Sequence, residues 1–178
     1  MTCQDNVATS SPSPIGSQLS ARGGRKADPR RLLRELCRLY AAERLLALEL
    51  PRLFRQSTSI SVRLVLSDQR KETGRQIARL ELLIGAADAA HSTTAATAPV
   101  PGFQPIGHEA EDMPCGAPTA VLIAVPLRAT RAAMAAYAST ISTAKRLGQW
   151  SIAELLAVSL NEKRTAGAVL SRLAERGE

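Results

Sequence analysis

Three glutamates, Glu43, Glu72 and Glu162, are the residues of this chain whose types and positions could support metal chemistry. Glu43 is the clearest case, because it interrupts an apolar stripe that runs at three- and four-residue spacing through Leu36 and Leu50. This spacing places the carboxylate on the helix face that should be buried. A buried charge needs a partner, which could be a metal ion, an arginine or lysine, or a pocket of water.

The elements that must position these carboxylates are long amphipathic helices. Aromatic residues make up only 3% of the chain and hydrophobic residues 45%, with Ala and Leu dominant, which favours close helix packing over a sheet. Pro51 and Pro126 fall inside helical patterns that continue beyond them, so they predict bends rather than ends. We predict four helices, near residues 29–57, 59–85, 119–147 and 151–175.

Local signals mark the ends of these helices. Asp28 is an N-cap candidate for the first helix, and Thr119 is one for the third. Gly85 predicts the end of the second helix, and Gly148 predicts the end of the third. Ser151 and Glu154 have the spacing of a capping box, which predicts the start of the fourth helix.

The second predicted helix is polar at its centre, where Gln69, Thr73 and Gln76 occupy its inner face. An ordinary core helix would carry Leu or Ala at these positions. Ferritin-like bundles place metal ligands at such central positions, with a Glu on two helices and a Glu-x-x-His pair on the others. The polar centre therefore points to the same part of the bundle as the glutamates.

Three stretches resemble the YciE/YciF family of ferritin-like bacterial proteins: LYAAE followed by LPRL, then KETGRQIARLE, then AAYASTISTAKRLG. The resemblance covers about residues 32–85 and 119–173. It implies an all-α, ferritin-like four-helix bundle over residues 29–178. It also implies a long crossover between helices 2 and 3, which would then run parallel, and this accounts for the proline-rich connector at residues 86–118.

The ligand set implied by this resemblance is incomplete. The family has a histidine where Gln69 stands, and a Glu-His pair where Thr130 and Arg131 stand. No histidine lies on any predicted helix, and the glutamates Glu43, Glu72 and Glu162 are the remaining candidate metal ligands.

Two arrangements of these carboxylates stay open. They could hold one weakly bound iron or manganese ion, or they could be paired with Arg131 and Arg70 in a buried ionic network. We favour the ionic network, so no bound cofactor is expected. No residue is assigned a catalytic role, and enzymatic activity is not favoured.

Residues 1–28 are rich in Ser, Pro and Gly and end in a run of basic side chains, which predicts a disordered basic leader. Nucleic-acid binding through this leader is a weaker alternative, because no aromatic residues accompany the charges. The three cysteines are widely separated, which favours a reducing compartment. The longest apolar run, residues 113–127, is interrupted by prolines and is too short to span a bilayer, so a cytoplasmic location without a membrane partner is expected.

The function predicted from these observations is a structural or stress-related interaction module with a degenerate metal site. The alternative is a ferritin-like protein, or weak oxidase, that still binds iron or manganese. A homodimer is expected, because five further leucines widen the apolar stripe of the first helix. These leucines are Leu32, Leu33, Leu45, Leu48 and Leu53.

Overall fold

The computed structural model describes residues 28–89 and 118–176, and these two ranges form four helices and no strand. The helices are Pro29–Gln56 (α1), Ile60–Ala89 (α2), Thr119–Arg146 (α3) and Trp150–Arg176 (α4). This confirms the prediction of an all-α bundle. The predictions made for residues 1–27 and 90–117, which cover nearly all of the leader and most of the connector, lie outside the described residues.

Two of the predicted helix signals are confirmed. The Asp28 side chain accepts a hydrogen bond from the backbone N–H of Arg30 at 3.0 Å, which satisfies one of the free donors at the start of α1. Gly148 follows the end of α3 with a φ of 71°, a left-handed conformation that glycine adopts without a steric penalty. Pro51 and Pro126 lie within α1 and α3, which continue past them.

Three other predicted signals are wrong. Gly85 does not end α2, which continues for another turn to Ala89. A glycine inside a helix is tolerated when the flanking residues propagate the hydrogen-bond ladder. Thr119 is already helical, and Pro118 takes the N-cap position. Ser151 lies inside α4 rather than at its N-cap, so it forms no capping box with Glu154.

The core consists of two apolar clusters, and their composition fixes the directions of the helices. One cluster joins the first half of α1 and α4 to the second half of α2 and α3. The other joins the opposite halves of the same helices. Therefore α1 is antiparallel to α2, α3 is antiparallel to α4, and α2 and α3 run parallel. The contacts between helices are most extensive within the α1–α2 and α3–α4 pairs, and this is the predicted ferritin-like arrangement.

Among the helices of residues 28–89 and 118–176, α3 alone is long and apolar enough to cross a membrane by length and composition, with a mean hydropathy of 1.3 in its most apolar stretch. The central helix of a soluble bundle meets the same criterion. The inner face of α3 packs against the other helices through buried residues that include Thr130 and Tyr137. Of its most apolar stretch, 28% is buried inside the bundle, and the expected lack of a membrane partner stays a prediction.

Candidate functional site

A layer of buried polar side chains separates the two apolar clusters at the middle of the bundle. Every helix contributes to it, and its members are no more than 4% exposed. The predicted polar centre of α2 is confirmed as part of this layer. Its buried polar members are Glu43 from α1, Gln69, Thr73 and Gln76 from α2, Thr130 from α3, and Ser159 and Lys163 from α4.

The centre of this layer is an ion pair between Glu43 and Lys163. The Lys163 Nζ lies 2.7 Å from the Glu43 Oε2, and the two side chains are 2% and 1% exposed. A contact this short is a charge-assisted hydrogen bond, in which the ammonium donates and the carboxylate accepts. Glu43 is thus buried as its position in the α1 stripe predicted, and its partner is a lysine of α4.

Lys163 is a residue of this candidate site that was not predicted from the sequence. It lies on the inner face of α4 at helical spacing from Leu156, Leu160 and Leu170, all of which are buried. A charged residue in such a row was the signal that could have identified it, as it identified Glu43.

Tyr137 lies beside this ion pair and is completely buried. Its pKa is strongly raised, first because burial disfavours the phenolate and then because Glu43 is negatively charged. The Tyr137 hydroxyl and the Glu43 Oε1 both lack a well-formed hydrogen bond to another protein group. This layer is therefore rich in oxygen atoms, but Lys163 already supplies the positive charge that Glu43 requires.

Glu162 lies at the seam between α2 and α4, where Arg79 binds it. Arg79 donates to both carboxylate oxygens at 3.1 and 3.2 Å and also to the Ser159 hydroxyl, while Gln76 donates to Glu162 at 3.0 Å. Burial acts to raise the pKa of Glu162, but the hydrogen bonds from Arg79 and Gln76 outweigh it, so the pKa is lowered. Glu162 therefore stays ionised as one half of a half-buried salt bridge.

The two arginines proposed as partners of the carboxylates are not part of this network. Arg131 and Arg70 are both exposed, on α3 and α2 respectively. The carboxylates Glu43 and Glu162 are paired with cations, as the predicted ionic network requires. The cations were wrongly predicted, because they are Lys163 and Arg79.

Glu72 is half-buried on α2, near the same seam. Its pKa is raised by burial and by the negative charge of Glu162, and Arg75 and Lys163 oppose this shift. The structure thus places Glu43 inside the bundle and Glu72 and Glu162 towards its side. Within residues 28–89 and 118–176, no three His, Cys, Asp or Glu side chains come together as a group that could hold a metal ion. A metal-ligand role for Glu43, Glu72 and Glu162 remains a prediction.

These donors do not fit the di-metal centre of a ferritin-like bundle. Such a centre needs four carboxylates and two histidines directed at one point. The described helices contain no histidine, and the innermost carboxylate is bonded to an ammonium.

The Arg79–Glu162 bridge predicts a pH dependence. A lowered pKa in the folded protein means that Glu162 stabilises the fold above the pKa of an unfolded glutamate, and that this contribution is lost as the pH falls through the lowered value. Changing Arg79 to Leu should raise the pKa of Glu162, because burial then acts without its main opposing contact. An NMR titration of the Glu162 carboxyl carbon measures this shift. The matched control is Arg131→Leu, on the exposed face of α3, and an equal shift there would contradict the assignment.

A family model described as a domain of unknown function, DUF892, matches residues 30–178. This chain belongs to the DUF892 family. The match includes all four helices and therefore the whole polar layer of this DUF892 bundle. No curated protein sequence matches the chain.

Two solved structures resemble this DUF892 chain. The crystal structure of the E. coli stress protein YciF has a TM-score of 0.66 and 20% identity, and the likeness covers 83% of this chain and 94% of YciF. YcfI from Rhodopseudomonas palustris, for which a structural role has been suggested, has a TM-score of 0.59 and 22% identity, with 84% and 96% covered. At these identities the likeness shows a shared fold. Together with the family match, it makes this chain a member of the YciE/YciF type with a ferritin-like bundle.

Proposed function

We propose that this chain is a structural or interaction module in which a buried ion pair takes the place of a metal centre. The observation that carries the proposal is the 2.7 Å contact between Lys163 and Glu43, with both side chains almost fully buried. In metal-binding bundles of this class, inward-facing carboxylates neutralise divalent cations. Here the ammonium neutralises the innermost carboxylate, and that pair carries no net charge.

Electrostatics oppose metal binding at this position. The attraction or repulsion between charges is stronger inside a protein than in water, so a divalent cation beside Glu43 would be repelled by Lys163. Glu162 is engaged in the same way by Arg79. These two pairs support a bundle that is stable without metal, carries no catalytic residue and is not an oxidase.

The cellular role follows by analogy. YciF is described as a stress protein, and YcfI has been suggested to be structural. We infer a stress-related or structural role of the same kind for this chain, in the cytoplasm and without a resident cofactor. Nucleic acid, bound through the basic leader, is a less favoured partner.

One observation favours the alternative of residual metal binding. Glu72 and Glu162 are close enough for the charge of one to raise the pKa of the other. A single iron or manganese ion between them would relieve this repulsion, but it would have to displace Arg79 from Glu162.

Metal analysis separates the two proposals. Protein purified from cells grown with added iron and manganese should contain metal at far below the concentration of the chain, measured by inductively coupled plasma mass spectrometry. Stoichiometric iron or manganese that disappears in Glu43→Ala would overturn the ion-pair proposal. Stoichiometric metal lost in Glu72→Gln but retained in Glu43→Ala would instead favour a site at the α2–α4 seam.

A homodimer remains part of this proposal, although its original basis has changed. Of the five leucines that suggested it, Leu32 and Leu53 are buried in the bundle core, and only Leu48 is largely exposed. Trp150 and Leu82 add exposed apolar surface at the other end of the bundle. Multi-angle light scattering should give the mass of a dimer, and a monomer at every accessible concentration would contradict it.

A further inference from the structure

A small groove with both apolar and polar lining lies on the surface where the end of α1 meets the start of α2. Its volume is about 150 Å³, and its apolar wall is formed by Leu50, Pro51, Phe54 and Leu66. Binding sites for drug-sized molecules are usually larger, on the order of 300–1,000 Å³. This groove has the size to accept a single aliphatic side chain rather than a complete small molecule.

The rim of the groove is basic. Arg55 from α1 and Arg70 from α2 line it together with Ser67, and both guanidinium groups are on exposed residues. Neither arginine is paired with a carboxylate in the described part of the chain. Arg63 adds a third positive charge, with its guanidinium 4.5 Å from the centre of the Phe54 ring.

The acidic residues near this groove do not neutralise its rim. Glu49 and Asp68 are the acids of these two helix segments, and they pair with Arg52 at 3.6 Å and with Lys71 at 3.2 Å. The groove therefore presents positive charge around an apolar floor, and its complement is an aliphatic group flanked by carboxylates.

Two exposed apolar side chains lie one helical turn away from residues that line the groove. Leu48 precedes Pro51 by one turn of α1 and is 65% exposed, while Leu64 precedes Ser67 by one turn of α2 and is 62% exposed. Because α1 and α2 are antiparallel, these two leucines are displaced from Pro51 and Ser67 in opposite directions along the bundle. An elongated ligand with apolar side chains repeated along its length fits this arrangement better than a compact one.

We propose that the α1–α2 groove binds an acidic amphipathic helix of a partner protein, with one aliphatic side chain in the cavity and carboxylates on Arg55 and Arg70. Helices recognised in grooves use apolar anchors at helical spacing, and charged residues at the rim select the partner and fix its register. The inference specifies the partner of the interaction module proposed above and rests on that role. The metal analysis and the binding test below can fail independently of each other.

The binding test uses a fluorescein-labelled acidic peptide of about 15 residues, a length at which an Ala-rich helix begins to form in water. The peptide carries leucines at helical spacing on one face and glutamates elsewhere, and its binding to the full-length protein is followed by fluorescence anisotropy. The double variant Arg55→Glu/Arg70→Glu should bind at least roughly tenfold more weakly, because repulsion then replaces attraction at the rim. The control Arg131→Glu, an exposed arginine of α3, should bind as the unmodified protein does.

Matched peptides test the two parts of the recognition separately. Replacing the leucines with serine, or the glutamates with lysine, should abolish binding to the unmodified protein. Equal binding of the lysine peptide, or an unchanged affinity of the double variant, would overturn the proposal.

Two other occupants of the α1–α2 groove, a lipid surface and a second copy of this chain, would give different results in the binding test. If the protein binds phosphatidylglycerol vesicles and not the peptide, and the double variant loses this binding, the groove is a lipid-binding surface. If the double variant dissociates a dimer and no peptide binding is found, the groove is a contact between copies of this chain. Either result would overturn the assignment of an acidic helix.

Discussion

Changing Lys163 to Ala is expected to lower the free energy of unfolding by about 3–5 kcal/mol, because it leaves the Glu43 carboxylate buried without its cation. Both groups are almost completely inaccessible to water, so solvent cannot replace the lost contact. Globular domains are typically stable by only about 5–15 kcal/mol, so the variant should be close to unfolding at ordinary temperature. Urea denaturation followed by circular dichroism measures the loss.

Two control variants show whether this loss comes from the uncompensated charge. Lys71→Ala removes an exposed lysine whose partner is Asp68, and it should cost well under about 1 kcal/mol. The double variant Glu43→Leu/Lys163→Met removes both buried charges and should recover most of the stability lost in the single variant. A double variant as unstable as Lys163→Ala would contradict the account, since the damage would then come from packing rather than charge.

Leu156→Ala is expected to cost about 2–5 kcal/mol of unfolding free energy, the range found when a buried leucine is truncated in a packed core. Leu156 is completely buried on α4, in the cluster that also contains Leu36 and Tyr137. Its loss removes apolar contacts and leaves a cavity that long, rigid helices cannot easily close. Chemical denaturation measures the change.

The matched control for this variant is Leu82→Ala. Leu82 is 75% exposed on α2, so its truncation should change the unfolding free energy by no more than about 0.5 kcal/mol. Comparable losses in the two variants would show that the assignment of Leu156 to the core is wrong.

Much of the fold could be predicted from periodicity, because four apolar stripes and their spacing identify four long helices. The ends of the helices were less predictable. Gly85 has room for a Cβ and needs no left-handed backbone, so it is simply an interior helical residue, whereas Gly148 adopts the left-handed conformation that ends a helix. Glycine therefore occurs here both inside a helix and at a helix end, and the sequence alone does not distinguish the two.

The site was only partly predictable, and α4 shows why. The stripe predicted for α4 combined the row of Leu155, Glu162 and Val169 with Leu156 and Leu170, and it took Glu162 as its charged member. The fully buried row runs through Leu156, Lys163 and Leu170. The two rows are neighbours on the helix surface and both contain apolar residues. Periodicity cannot choose between them when a helix has no sharply polar side.

Glu43 illustrates the remaining limit of sequence reasoning. Its burial followed from local spacing in α1, but its partner Lys163 lies 120 residues further along the chain. The helices α1 and α4 lie diagonally across the bundle, and only the assembly of all four helices brings the two side chains together at its centre. Periodicity predicts that a residue faces inward, and it does not predict which inward-facing residue it meets.

The central claim, that an ammonium group occupies the place of a metal ion, is tested most directly by NMR of the Lys163 side chain. A buried, hydrogen-bonded ammonium exchanges slowly with water and should give a visible proton–nitrogen signal, whereas the exposed Lys71 should not. We predict that the Lys163 signal is lost in Glu43→Gln and is unaffected by added Mn²⁺. Paramagnetic broadening of that signal at stoichiometric Mn²⁺ would place a metal ion at the bundle centre and contradict the account.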